Sequence, residues 1–171
     1  VPRTEGTVIL GEEVGGIMAA GVTQNIKVLR DAALQGIVSA PVDVDNLVRR
    51  MPLLMRSPEG WMASFGTQML KAVTRTNTYV ITANETGIQE IRVKQLNPIP
   101  TDSDGRVWVN WVVPHGTSLS EMDVAGKMVV VGTTAKGILP QVATPVGLLY
   151  PHQVQAALAE TILHASNKRM P

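Results

Sequence analysis

The stretch Val129 to Gly137, VVVGTTAKG, has the make-up of an anion-binding turn: an apolar run ending in Gly132, two hydroxyls at Thr133 and Thr134, the ammonium of Lys136 and a second glycine. Backbone amides at the end of a buried strand can cradle phosphate in such a turn. The stretch lacks the GxxxxGK[ST] ending and does not run straight into an apolar-periodic helix. A structural turn that shows Thr133 and Thr134 at a sheet edge therefore stands beside the phosphate reading. Three histidines, His115, His152 and His164, offer no pair at i, i+4, the spacing that sets two imidazoles on one helical face for zinc. They read as surface or cap residues, and no metal site is expected. DVDN at 43–46 and DSDG at 102–105 each set two carboxylates at alternate positions. DSDG lacks the third oxygen ligand and the closing glutamate of a calcium loop, and turns are expected rather than calcium sites. Arg49 and Arg50 beside Asp43 and Asp45 read as solvated ion pairs. Serine, histidine and acid occur without a GxSxG elbow, and no triad is expected.

Composition narrows the classes further. The 171 residues correspond to about one domain. At 44% hydrophobic and 17% charged the chain can bury a core and is not intrinsically disordered. A net charge of +1 gives no field to recruit nucleic acid or anionic lipid. The absence of cysteine excludes disulfides and thiolates and leaves the compartment open. The most apolar stretch, MVVVG, falls far short of the roughly 20 residues of a membrane span. No leader precedes TVIL, and the opening VPRTEG carries no initiator methionine, as an excised fragment would.

The elements that must position these groups alternate between two periods. A strand is expected at Thr7–Leu10, and an amphipathic helix in NIKVLRDAAL with Ile26, Leu29 and Ala33 on one face and Asn25 as N-cap. GIVSAP reads as a short strand. LVRRMPLLMR is strand-like, with Pro52 at an edge, a bulge or a strand end. Ala63–Thr74 is expected to be a helix with Phe65, Met69, Leu70 and Val73 on its buried stripe. TYVITA and IQEIRV form a strand pair about NETG, and RVWVNWVV is the strongest strand signal in the chain. There Trp108 and Trp111 face opposite sides and are expected to pack in the core. Trp108 shares its side with Asn110, which leaves a polar face open. SLSEMDVAGK holds a turn or short helix with Ser118 and Glu121 at capping-box spacing. MVVVG reads as a doubly buried strand. A closing helix from His152 to Ala165 puts Val154, Leu158, Ile162 and Ala165 on one face. Helices mixed with strands indicate an α/β or mixed α+β fold, a central sheet flanked by helices and closed by the C-terminal amphipathic helix.

The order of these motifs resembles the CHASE family of extracytoplasmic sensory domains, second type. Asp45, Arg49, Arg50, Pro52 and Leu53 match an acidic turn followed by an RR-x-PLL strand. Pro100 to Gly105, with Asp102 and Asp104, resembles the family's Pro-x-Asp-x-Asp-Gly turn with one change of spacing, and Asn110 lies on the strand it feeds. Gly126, Lys127, Gly132, Thr134, Ala135, Gly137, Thr144 and Pro145 are similar to its Gly-Lys, Gly-x-Thr-Ala-x-Gly and Thr-Pro positions. The matches run in order from Asp43 to Leu163. The chain departs from the pattern at Pro151-His152, at Gln155-Ala156 and at Leu139-Pro140-Gln141.

The resemblance implies the C-terminal half to two-thirds of one sensor domain over residues 1–171, held outside the cytoplasmic membrane of a bacterium. The parent would be a membrane-anchored receptor with a nucleotide cyclase, histidine kinase or serine/threonine kinase as output. It implies no catalysis by this segment and no cofactor. Thr133, Thr134, Lys136 and Asn110 are the candidate contacts for an unknown small ligand. Asp45, Arg49, Arg50, Pro52, Asp102, Asp104, Gly105, Gly132, Gly137, Thr144 and Pro145 are family-motif positions expected to act structurally. Two other functions compete: a small enzyme or phosphate-binding domain using the GTTAKG loop, and a structural module that pairs as a homodimer through the last helix.

Overall fold

A computed structural model of the chain describes residues 6–12, 15–19, 21–58, 60–111, 124–135, 137 and 140–167, with the side chains of 166 and 167 left aside. It is a mixed α+β fold. β1 (Thr7–Gly11) lies parallel to β5 (Tyr79–Asn84), which turns back into β6 (Gly87–Val93), and β7 (Ile99–Pro100) completes a sheet ordered β1-β5-β6-β7. Three two-stranded ladders surround it. β2 (Arg50–Pro52) pairs with β8 (Arg106–Trp108), β3 (Leu54–Ser57) with β4 (Gly60–Ala63), and β9 (Val142–Thr144) with β10 (Gly147–Leu149). The helices are α1 (Lys27–Ala32), α2 (Phe65–Thr74) and α3 (Pro151–Asn167).

The β5-β6 hairpin shows how local chemistry fixes register. Asn84 accepts the Thr86 amide through its side chain, and Gly87, at φ +125°, closes a two-residue turn. Ile88 and Ile91 are an odd number of residues apart, which a regular strand would send to opposite faces. A bulge between Thr82 and Ala83 sets Glu90 opposite Thr82 but Ile88 opposite Ala83. Both isoleucines are thereby buried and Gln89 is left outside.

The main core joins this sheet to β2, the β3-β4 hairpin, α2 and α3. Met51, Leu54, Leu70, Tyr79, Ile91 and Leu158 are all buried in it. The β3-β4 hairpin has a second buried face. Leu54 and Ala63 point into the main core, whereas the opposed pair Met55 and Met62 packs with Ala19 and Ile37 in a separate small cluster. α3 has the face its periodicity predicts: Val154, Leu158 and Ile162 are fully buried and Ala165 packs at the margin. Pro52 ends β2, as a residue without an N–H must at a ladder's limit.

Several expectations are corrected. MVVVG is not a doubly buried strand: among the described residues nothing forms a ladder with 128–131, and Val131 is 78% exposed. A continuous apolar run is buried on both faces only inside a sheet, and the four-stranded sheet ends at β1 and β7 without it. Among the described residues the strand in RVWVNWVV covers Arg106–Trp108, and residues 112–123, Ser118 and Glu121 among them, lie outside the described residues. Trp108 is exposed rather than in the core, with the Arg50 guanidinium 5.5 Å from its ring centre, while Trp111 packs at the core margin.

GIVSAP contributes one isolated bridge, Ile37 to Ser64, and no strand. α1 buries none of its residues, so it has no packed amphipathic face. Its first residue follows Ile26 with no side-chain cap, because the Asn25 amide is turned to Gln35. α2 is rotated from the expected stripe. Gly66, Thr67, Leu70 and Lys71 are buried and Val73 is exposed, since the face toward α3 is chosen by close backbone approach. Between residue 140 and α3 the chain forms the β9-β10 hairpin.

Candidate functional site

The two acidic turns meet. Asp43 and Asn46 close the first through backbone bonds, with Asn46 in the left-handed region at φ +61°. In the second, the Asp102 carboxylate accepts the amides of Asp104 and Arg106, and Gly105 adopts φ +77°, where a Cβ would stand 3.1 Å from the Ile88 side chain. Pairing of β2 with β8 then brings Arg50 and Arg106 between them. Arg50 donates to Asp43 and, at 2.9 Å, to Asp102; Arg106 donates to Asp102 at 2.9 Å and Asp104 at 3.0 Å. Arg49 reaches Asp45 at 2.6 Å on the outside. The motif residues Asp45, Arg49, Arg50, Asp102 and Asp104 thus form, with Asp43 and Arg106, an ionic knot that joins two turns 59 residues apart. Every carboxylate in it already has a guanidinium, so it stands as a structural clasp and the turn reading of both acidic pairs holds.

The Arg50 hydrogen bond holds the Asp43 carboxyl below the usual carboxylate range, against the opposing pull of burial. A folded-state pKa below the unfolded one means that the unfolded chain binds more protons. The stabilisation is therefore complete above about pH 4 and is lost as pH falls through the lowered value. Urea midpoints measured from pH 6 to pH 2 should fall less steeply in Asp43→Asn than in the parent. Parallel curves would remove Asp43 from the clasp.

The loop singled out for anion binding lies beside the start of α3. Thr133 and Thr134 are both exposed, and Lys136 lies outside the described residues. The Thr133 hydroxyl accepts the Ala135 amide at 3.4 Å, which engages one of the N–H groups an anion cradle would use. Tyr150 donates its hydroxyl to the Thr134 carbonyl at 2.8 Å and stacks on His152. The His152 ring covers Gly132 so closely that a Cβ there would lie 2.1 Å from it. Gly132 is thus required by contact with His152, whereas Gly137, at φ +82° in open space, is required by its backbone. Thr144 donates to the Gly147 carbonyl at 2.6 Å and, with Pro145, shapes the β9-β10 turn. Asn110 is not brought to this loop. Its amide donates to the Thr161 hydroxyl at 3.0 Å, eleven residues beyond Tyr150 and about 16 Å along the helix.

Sequence reasoning missed two features. Gln155 is fully buried and polar. Its Oε1 accepts the Gly66 amide at 2.9 Å and its Nε2 donates to the Val38 carbonyl at 3.2 Å. It stands out in sequence only as a polar residue on an otherwise apolar helix face. The second is a cavity of about 120 Å³ beside α1, lined by residues 22–25, 30, 35–38 and Met62. Its lining residues come from loops and a short helix without periodic pattern, so no motif marks it.

Among the described residues no helix is long and apolar enough to cross a membrane, and no cluster of metal-ligating side chains occurs. No curated protein and no solved structure matches the chain. One family model does match, over residues 7–171: the CHASE2 domain, a family of extracytoplasmic sensory domains.

Proposed function

The chain belongs to the CHASE2 domain family, and from that premise we propose that it serves in the sensor of a bacterial transmembrane receptor, which detects a small ligand and reports it through α3. The parent would be anchored in the cytoplasmic membrane and carry a nucleotide cyclase, histidine kinase or serine/threonine kinase as output. The observation that supports this is the way α3 is held. Polar groups on it and just before it bind four separate parts of the domain: Gln155 holds α2 and the 37–38 segment, Thr161 holds Asn110, and Tyr150, just before the helix, holds the Thr134 carbonyl. A ligand that favours one arrangement of those parts biases α3 by its differential affinity for the two states. Thr133 and Thr134, both exposed at one end of this lever, remain proposed as ligand contacts, as does Lys136, which lies outside the described residues.

Removing single ties tests the reading in a full-length receptor. Tyr150→Phe and Thr161→Val leave the core intact and should each change the ratio of stimulated to basal output about 5-fold or more, as couplings of 1–3 kcal/mol do. Unchanged output from folded variants, or turnover of a nucleotide by residues 1–171 alone, would sink it. An enzyme built on the GTTAKG loop is less well supported, because the Ala135 amide is already engaged by the Thr133 hydroxyl and, among the described residues, no cluster of metal-ligating side chains occurs. A homodimer pairing the apolar face of α3 is disfavoured, since Val154, Leu158 and Ile162 are already buried in the domain's own core.

A further inference from the structure

The cavity beside α1 has one ionisable lining residue, Arg30. Among the described residues no carboxylate pairs with it. Its guanidinium donates through Nη1 to Gln24 Oε1, which leaves the other edge of the fork for a ligand, while the neighbouring Lys27 is paired with Asp31. Opposite lie the apolar side chains of Val22, Ile37 and Met62, the last two members of the small second core. A fixed positive charge facing a short apolar floor, with side-chain amides between, matches a carboxylate on a small hydrocarbon tail. The wall is free to move: α1 is six residues long and buries none of them, so adjusting it around a ligand disturbs little packing.

The floor is connected to the lever. Ile37 donates to the Ala63 carbonyl at 2.9 Å and accepts the Phe65 amide at 2.8 Å, which fixes it to the first turn of α2. The next residue, Val38, accepts from Gln155, whose other end accepts from Gly66. Cavity wall, α2 and α3 therefore share one hydrogen-bonded ring, buried at Gly66 and Gln155 and part-buried at Val38. We propose that this cavity is a binding site for a small apolar-tailed carboxylate, held by Arg30, and that occupancy is relayed through Val38 and Gln155 to α3. The relay, though not the binding, rests on the sensor reading above.

Sodium butyrate is the probe, with butyramide as its uncharged counterpart and sodium chloride at matched ionic strength as control. Butyrate should raise the thermal midpoint of the 1–171 chain saturably, and butyramide should not. Arg30→Gln should weaken binding at least tenfold, and Arg30→Lys should retain part of it. Arg30 is half-buried on a helix that buries none of its residues, so these variants are expected to fold. Absence of a butyrate shift, an equal shift with butyramide, or an undiminished shift in Arg30→Gln overturns the site. Hydrogen exchange reads the relay separately: the Gly66 amide should gain protection with butyrate. Binding through Arg30 with Gly66 exchange unchanged overturns the relay while the site stands. Binding and relay both intact, with a full-length receptor whose output ignores butyrate, would count against the sensor reading alone.

Discussion

Gly66→Val is expected to destabilise the domain by about 2–4 kcal/mol, and even Gly66→Ala by about 1 kcal/mol. By helix propensity alone, alanine for glycine in α2 should gain up to about 1 kcal/mol. Tertiary contact reverses that sign. A Cβ at Gly66 would lie 2.8 Å from the Gln155 carbonyl oxygen and 3.2 Å from the Ala159 nitrogen, both on the backbone of α3, where no side chain can swing aside. The helices must separate, which opens the Leu70–Leu158 core and lengthens the Gln155 bond to the Gly66 amide. At 171 residues a loss of 3 kcal/mol lowers Tm by about 6–12 °C. Urea denaturation of the two variants checks this, and a stability gain in Gly66→Ala would show that α2 and α3 do not approach at this point.

Gln155→Ala should cost about 2–5 kcal/mol. It removes a fully buried side chain and leaves the Gly66 N–H and the Val38 carbonyl without their partner, at about 1–3 kcal/mol for each unsatisfied group, with the vacated volume adding to the loss. Gln155→Glu separates the two halves of the bond. A carboxylate there still accepts from Gly66 but is buried without a cation and faces the Val38 carbonyl oxygen, so the loss should be large near neutral pH and smaller at low pH, where the protonated acid can donate to Val38 again. Chemical denaturation of both variants provides the measurement. Equal stability of parent and Gln155→Ala would mean that the ring joining the 37–38 segment, α2 and α3 is not closed.

Where pattern and packing demand the same thing, the elements were legible. The β5-β6 hairpin follows from NETG between two branched runs, and α3 from Val154, Leu158 and Ile162 at helical spacing. Pro52 at a strand end follows from its missing N–H. The acidic turns were legible as turns, yet their union was not, because the partners of Arg50 at Asp43 and Asp102 are fixed by the pairing of β2 with β8. Hydrophobic runs misled where burial depends on neighbours supplied from far away. MVVVG found no sheet to enter, α2 turned a glycine and a threonine inward in place of Val73, and Trp108 went to the surface under Arg50.

The sequence alone settled the mixed α+β class, the closing amphipathic helix, the acidic turns and the resemblance to a sensory family, since each rests on local spacing or on residues whose backbone preferences are their own. Tertiary structure decided which groups meet: the ionic clasp, the Gly132–His152 contact, the Gln155 ring and the cavity at Arg30. Those depend on the distance between segments remote along the chain, which close-packing of the core sets and no local period encodes.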